Sequence, residues 1–481
     1  METSAADSSA HFTAHSSMQA LTQAEFVGLQ ARLLTDLQQA LQDADAFAST
    51  VPIHVAYSGG LDSTVLLLCV QRLLRAQRQS QRLRAIHIHH GWAASDAFAE
   101  HAEQFCAQHD IPLTVISVDA TPHVGEGREA AARKARRMAF KQVLGPHALL
   151  LAAQHQEDQA ETLILRLLRG SGIEALAAME AKTALGQGWL LRPWLQQKRA
   201  DLQAWALSQN ASAHDLDWIE DPSNADLSLD RNYLRQAVMP LLEARWPGVA
   251  QRFGTVAQHA ADTREVLQQH FEQWLAAWGA ELGAERLPLA ALYALDLPAQ
   301  RLLLRAAARA RGVRLPGGKR LEEALAQFLH ADASRQPSLS WQDPEAGCTQ
   351  LRRYRDHLYW VQVAADQPSA LPERCEWQPS PMALRSLPLG QGIAQAWLAT
   401  SDWSLGRWMA NARMRTAANR PSRRLRNLLQ EAGIPPWERA RLACLWHGER
   451  LVAVDSLWID PEYRAKPDEA GWIPQCAVGF H

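Results

Sequence analysis

Cysteine is scarce in this chain. The six present, Cys69, Cys106, Cys348, Cys375, Cys444 and Cys476, are scattered over 481 residues, and no two are spaced to share a zinc ion or an iron-sulfur cluster. Such usage predicts reduced thiols in a cytoplasm. Long apolar runs are also missing: none approaches the roughly 18 residues of a membrane span, so no membrane partner is predicted. The first 18 residues hold neither Lys nor Arg and no apolar stretch. That fits neither a signal nor a transit peptide, and residues 1–20 are read as a disordered extension. A charge excess is lacking too. With 49 basic and 51 acidic residues the formal net charge is −2, so any attraction to nucleic acid must be local.

What is present is the composition of an ordinary folded protein, 47% hydrophobic and 21% charged, in a chain long enough for about two to four domains. Short apolar runs at 52–57, 84–89, 113–118, 148–153 and 188–191 alternate with amphipathic stretches at 63–77, 97–109, 126–143 and 158–168. This predicts an α/β domain, a doubly wound parallel sheet with helices on both faces. Beyond residue 193 the pattern turns helical, with a polar loop at 220–224, one long helix over 249–282 and Arg-rich helices over 298–329. Few helical signals remain over 331–348; alternation follows over 349–363, then a Pro-rich boundary over 367–381. The remainder mixes a basic helical segment with a strand-like run at 451–457, which reads as a small α+β domain.

The first apolar run leads at once into Ser58-Gly59-Gly60-Leu61-Asp62-Ser63 and then a helix. Strand, glycine turn and helix form an anion site: the glycines allow positive φ and close approach, while helix amides and the hydroxyls of Ser58 and Ser63 meet phosphate oxygens. Two glycines alone are equally compatible with a plain tight turn capped by Asp62 or Ser63. The loop has no Walker lysine, and an aspartate beside phosphate makes sense chiefly with Mg²⁺ between them. Two further clusters follow the second and fourth runs, at the carboxyl ends of strands where open sheets bind ligands. They are His89-His90-Gly91 and the block from His155 to Thr162, in which Asp158 and Glu161 share a helix face. Alone, such acids more often dress a helix N-terminus; joined to the loop, they point to a cation or an attacking group. Arg133, Lys134, Arg136 and Arg137 form a basic helix, by default a solvated face and, in its functional reading, a clamp for phosphate of ATP or RNA.

Together these residues resemble a known family. The loop is similar to that of the N-type ATP pyrophosphatases, and the longer pattern resembles bacterial tRNA(Ile)-lysidine synthetase. The narrower resemblance rests on His87 to Gly91, Ala132 to Arg136, His155 to Gly172, Arg192-Pro193-Trp194-Leu195, Trp218 to Asn224, Arg231-Asn232-Tyr233-Leu234-Arg235 and the block from Ser422 to Leu442. The loop is specific only to the superfamily; the last blocks are far more specific. His89 stands for the family's asparagine, Trp92 for its leucine, Glu157 for its first paired aspartate and Arg137 for its tyrosine.

The resemblance implies a catalytic domain over 21–245, a helical linker and middle tRNA-binding domain over 246–366 and a basic C-terminal tRNA-binding domain over 382–481. It implies that free L-lysine is joined to C2 of the first anticodon cytidine of tRNA(Ile) with a CAU anticodon, changing codon and aminoacylation identity from Met to Ile. ATP first adenylates the base, and AMP and pyrophosphate are released. Asp62, Asp158, Glu161 and His155 are the candidate catalytic residues, with Asp62 and Asp158 on Mg²⁺. Residues 58–63 with His90, Gly91 and Arg133 are expected to hold ATP. Arg136, Arg166, Arg169, Asp221, Asn224, Arg231, Arg235, Arg415, Arg423, Arg424, Trp437 and Arg439 are the candidates for substrate and tRNA. RNA and not DNA is the expected polymer, and a homodimer stays open. Between residues 405 and 450, ten arginines face three glutamates, the local positive charge that phosphate contacts require. Trp408, Trp437 and Trp446 lie within it and are either base-stacking platforms or core. Two other readings remain: another pyrophosphate-releasing synthetase, such as a tRNA thiolase or an amidating enzyme, and a non-catalytic tRNA-binding protein.

Overall fold

The computed structural model describes residues 23–46, 50–91, 95–122, 127–170, 172–210, 216–331, 335–343, 347–363, 374–379 and 384–474. The expected N-terminal extension, Trp92 and Cys476 lie outside them. The chain divides into two compact units, residues 1–270 and 271–481. Among the described residues no helix is long and apolar enough to cross a membrane.

In the first unit α1 (Gln23–Gln42) precedes β1 (Ile53–Ala56), α2 (Leu61–Ala76), β2 (Leu83–His89), α3 (Ser95–Gln108), β3 (Leu113–Ser117), α4 (Arg128–Val143), β4 (Leu149–Leu151) and α5 (Gln156–Leu168). A hairpin, β5 (Lys182–Leu185) and β6 (Gly188–Leu191), follows, then α6 (Arg199–Asn210), α7 (Asp230–Tyr233), α8 (Met239–Arg245) and most of α9 (Val249–Ala276). The sheet order is β3-β2-β1-β4-β6-β5, with every pair parallel except β5 and β6. Side chains alternate across it. Ile53, Val55, Leu149 and Leu151 meet α1, α2, α3 and α6 on one face, while Ile86, Leu150 and Leu190 meet Ala139 and Phe140 of α4 on the other. β2 and β4 flank β1, so the chain reverses its direction of winding there, and the crevice at the strands' carboxyl ends opens between β1 and β4.

All five expected strands form, within a residue or two of their apolar runs. The antiparallel edge strand β5 carried no sequence signal; it pairs with β6, whose Gly188 lies close against the start of β4, a Cβ there falling 2.3 Å from the Ala148 carbonyl oxygen. The long helix expected to reach residue 282 ends at Ala276, before a turn at Trp278.

The second unit holds β7 (Arg286–Pro288), α10 (Leu289–Tyr293), the amphipathic α11 (Leu297–Ala310) and α12 (Gly318–His330), then β8 (Ser338–Asp343), β9 (Gly347–Tyr354) and β10 (His357–Val363). Besides the expected helices it therefore carries an antiparallel sheet of order β7-β10-β9-β8. Its C-terminal part contains β11 (Cys375–Glu376), β12 (Leu384–Leu389), β13 (Ile393–Ala394), α13 (Gln395–Leu398), β14 (Trp403–Arg407), β15 (Arg413–Met414), β16 (Arg423–Arg424), α14 (Leu425–Glu431), α15 (Pro436–Arg439), β17 (Ala443–His447), β18 (Arg450–Val454), β19 (Trp458–Ile459) and β20 (Ala470–Pro474). The sheet β11-β14-β17-β18-β19 is buried on both faces: Ala443 and Leu445 of β17 point into one core, Cys444 and Trp446 into another with Leu425 and Leu428 of α14.

Candidate active site at the phosphate-binding loop

β1 runs straight into the glycine loop. Gly59 has φ +84°, a conformation that disfavours any side chain, and Gly60 stands as N-cap of α2 with no side chain closing the helix. The first amides of α2 are therefore left for an anion. The hydroxyls behave otherwise than expected. Ser58 Oγ and Ser63 Oγ lie 3.0 Å apart, Ser63 Oγ donates to the Gly60 carbonyl at 2.9 Å, and the Gly60 amide donates to Ser58 Oγ at 3.3 Å. They brace the loop rather than pointing to a ligand. Leu61 is buried in the core and contributes only its backbone. The family-specific segment at 218–221 docks here, since the Ile219 amide donates to the Gly59 carbonyl at 2.9 Å.

Asp62, in the first turn of α2, is the acid of the loop itself. Its Oδ2 lies 3.7 Å from His155 Nε2 and 3.6 Å from Arg199 Nε, while Oδ1 is buried with no partner among the described residues. Burial raises its pKa, only partly offset by His155 and Arg199. His155 is the N-cap of α5 and 2% exposed, with Nδ1 2.9 Å from Glu157 Oε2 and Nε2 3.4 Å from Asp158 Oδ2. Burial alone would lower the imidazole's pKa, but Asp158, Glu157 and Asp62 outweigh it and raise it.

Asp158 and Glu161 do share a face of α5, but not an empty one. Arg235 Nε donates to Glu161 Oε1 at 2.7 Å, Arg231 Nε to Glu161 Oε2 at 2.8 Å, and Arg235 Nη2 to Asp158 Oδ1 at 2.9 Å. Arg231 and Arg235, expected to position substrate, instead hold these two acids. They lie four residues apart where α7 passes through one π turn (Leu234–Val238) into α8, and such turns gather at functional sites. Against the cost of burial, His155, Arg231 and Arg235 hold the Asp158 carboxyl below its usual range.

Among the described residues no three His, Cys, Asp or Glu side chains are grouped to hold a metal. Magnesium needs less, one or two carboxylates completed by phosphate oxygens and water. Asp62 fits that role through its unpartnered Oδ1. Asp158, expected to share the ion, has Oδ1 on Arg235 and Oδ2 on His155, so its fit is poorer.

The remaining candidates surround this centre. Gly91 has φ +75°, and its amide donates to His89 Nδ1 at 3.3 Å; neighbouring His90 is half-buried, its pKa lowered by burial and then by Arg136. Arg133 and Arg136 are exposed on α4. Burial, with Arg133 and Arg137 nearby, pulls the pKa of Arg192 down to about 10. Arg166 donates to the Ala175 carbonyl at 2.7 Å, and Arg169 is exposed at the end of α5. Asp221 caps its own turn by accepting from the Ser223 amide at 2.8 Å, and the Asn224 carbonyl accepts from Gln236. Two residues matter that motif reading passed over. Arg199 opens α6 beside Asp62, and Glu157, noted only as a departure, accepts from both His155 and the Arg199 amide. Arg199 has no local sequence signal, because α6 reaches the site only through the fold, whereas Glu157 lies inside the acidic block already singled out.

Residues 29–242 match the model of the PP-loop domain, 287–359 the TilS substrate binding domain and 404–476 the TilS substrate C-terminal domain. A tRNA(Ile)-lysidine synthase of Alkalilimnicola ehrlichii is 39% identical over 86% of this chain and 91% of its own length. That of Pseudomonas putida is 40% identical over 84% and 92%, and that of Methylococcus capsulatus 34% over 88% and 96%. The chain belongs to the tRNA(Ile)-lysidine synthase family. It is a tRNA-modifying ligase with an ATP-binding PP-loop domain.

The two substrate domains of this lysidine synthase family member lie in the second unit, where several RNA candidates have protein partners. Arg439 is buried, donating to the Ile434 carbonyl at 2.9 Å and to the Tyr354 hydroxyl at 3.4 Å. Trp437 packs edge-on against Tyr354 and Tyr359, with ring centroids 6.0 and 5.5 Å away. These residues join α15 to the β9–β10 hairpin and are scaffold rather than RNA surface. Trp408 and Trp446 pack in the C-terminal core and are not stacking platforms in this conformation. Arg415 faces Asp460 and Glu462, and Arg423 forms an ion pair with Glu431. Arg424 is exposed.

Proposed function

We propose that this chain joins L-lysine to C2 of the first anticodon cytidine of tRNA(Ile) with a CAU anticodon, through an adenylated tRNA intermediate, with release of AMP and pyrophosphate. The observation that carries it is the uncapped start of α2 with Asp62 beside it, in a chain whose lysidine synthase relatives match it from the loop to the C-terminal domain. A helix N-terminus without a Walker lysine suits the departing pyrophosphate of an attack at the α-phosphate. Magnesium, when bound, supplies charge neutralisation for phosphoryl transfer, and Asp62 is the residue to hold it. His155 orients Asp62 and Asp158. Of the acidic pair, Asp158, 13% exposed, is the one an incoming lysine ammonium can reach. Glu161, 1% exposed, acts through Arg231 and Arg235. The lysine must shed a proton before it attacks.

The test is to incubate the protein with ATP, labelled lysine and tRNA(Ile) bearing CAU, and to follow label into RNA. Label at the anticodon cytidine is the expected result. Turnover of ATP on another acceptor without lysine incorporation sinks the reading, and binding of tRNA with no ATP turnover makes the protein a non-catalytic binder.

A further inference from the structure

The phosphate loop lacks a lysine, yet a cation stands next to its aspartate. Arg199 approaches from α6, half exposed, with Nε 3.6 Å from Asp62 Oδ2. Its Nη1 and Nη2 meet no acceptor among the described residues. The guanidinium thus presents an unused planar fork beside Asp62 in the first turn of α2, a group that suits paired phosphate oxygens.

Its position is fixed by the fold. The Gln156 amide donates to the Gln197 carbonyl at 2.9 Å, the Gln156 side chain donates to the Gln196 carbonyl at 3.2 Å, and Glu157 Oε2 accepts the Arg199 amide at 3.0 Å. The same Glu157 oxygen lies 2.9 Å from His155 Nδ1. One carboxylate oxygen therefore ties together the histidine that faces Asp62 and the start of the helix that carries Arg199. An arginine held by its backbone, with its terminal nitrogens unengaged, is preorganised for a ligand rather than used for stability.

We propose that Arg199 binds the pyrophosphate group of this site, with Glu157 as its positioning residue. The inference rests on the AMP-forming reaction proposed above and names the residue that receives its leaving group. In that step the cytidine C2 oxygen forms a bond to the α-phosphorus. The bond from that phosphorus to the bridging oxygen breaks, and the electron pair leaves with pyrophosphate. Negative charge grows on the departing group, and Arg199 leaves Asp62 to meet it.

Inorganic pyrophosphate with Mg²⁺, titrated calorimetrically into the full chain, reads this without the tRNA. R199A is expected to lower pyrophosphate affinity about ten- to a hundredfold, the worth of a charged hydrogen-bonded pair, with R199K intermediate. E157A should weaken binding in the same direction, and E157Q, whose amide oxygen can still accept both hydrogens, should recover most of it. Equal affinity in the wild type and R199A, or no binding in either, overturns the proposal; an E157A chain that binds as the wild type overturns its positioning half. A wild type that binds pyrophosphate through Arg199 and yet forms no lysidine upholds the inference and defeats the function proposed above.

Discussion

A carboxylate buried without a matched cation is costly, and the direction of each acid's shift tells whether its partner is already in place. Asp158 is held low by His155, Arg231 and Arg235 once the opposing effect of burial is overcome, whereas burial holds Asp62 high. Asp62 therefore gains most from an arriving divalent cation. Asp62→Asn keeps its shape and removes that gain. It is expected to cut pyrophosphate release in the presence of ATP and tRNA below about a hundredth of the wild-type rate, while tRNA binding, measured by filter retention, stays within about twofold because phosphate contacts lie elsewhere. Loss of tRNA binding would make Asp62 structural instead. Glu161 calls for a different measurement. Glu161→Ala leaves two arginines facing each other around an empty space, and urea unfolding should show a loss of about 3 kcal/mol, near the lower end for a broken buried pair because Arg235 is one-third exposed. A loss under about 0.5 kcal/mol, the range of ordinary surface substitutions, would show the cluster to be solvated.

The strands of the first unit impose their own pH dependence. On β1 and β2, burial lowers the pKa of His54, helped by Arg84, and burial lowers that of His87 despite its 3.0 Å hydrogen bond to the Tyr57 carbonyl. With folded values below the unfolded value of about 6.5, the unfolded chain binds more protons as the solution is acidified. Their stabilising contribution is present above about pH 6.5 and is lost as pH falls from there through the folded values. His155 acts oppositely. Its raised pKa gives stability that is full below about 6.5 and is lost as pH rises through the folded value. His87→Gln should therefore flatten the fall of the urea midpoint between about pH 7 and pH 5, and a fall as steep as that of the wild type would exclude His87 as a contributor. These strands were readable from sequence because each is a short apolar run followed by a period-3.6 helix, and the site lay at their carboxyl ends because that is where a doubly wound sheet places it. The partners of Asp158 and Glu161 were not readable. Arg231 and Arg235 lie about seventy residues from them in sequence, and only the packing of α7 onto α5 brings the charges together.

Across the whole chain a nearly neutral protein must grip a polyanion, and the arginine-rich segment between residues 405 and 450 was the sequence's answer. Structure divides those arginines by what they already touch, which charge counting cannot do. Arg439 is buried on Tyr354, and Arg423 is engaged by Glu431, while Arg424 beside it is exposed on the two-stranded sheet β15–β16. Each phosphate neutralised releases counterions, so the logarithm of tRNA affinity should fall linearly with the logarithm of salt concentration. Removing one such contact flattens the slope by about 0.7–0.9. Arg424→Ala is expected to do this, and Arg423→Ala to do less, because Glu431 already competes for its charge. Trp437→Ala should behave differently again. By emptying the space between α15 and the β9–β10 hairpin it should lower stability by about 3 kcal/mol or more and weaken tRNA binding equally at every salt concentration, since it displaces contacts without removing a charge. Fluorescence titrations of tRNA across a salt series separate the three variants. An unchanged slope in Arg424→Ala would move the RNA surface off the basic segment, and a flattened slope in Trp437→Ala would mean that the indole holds phosphate-binding arginines in place, Arg352 first among them at 5.0 Å from its ring.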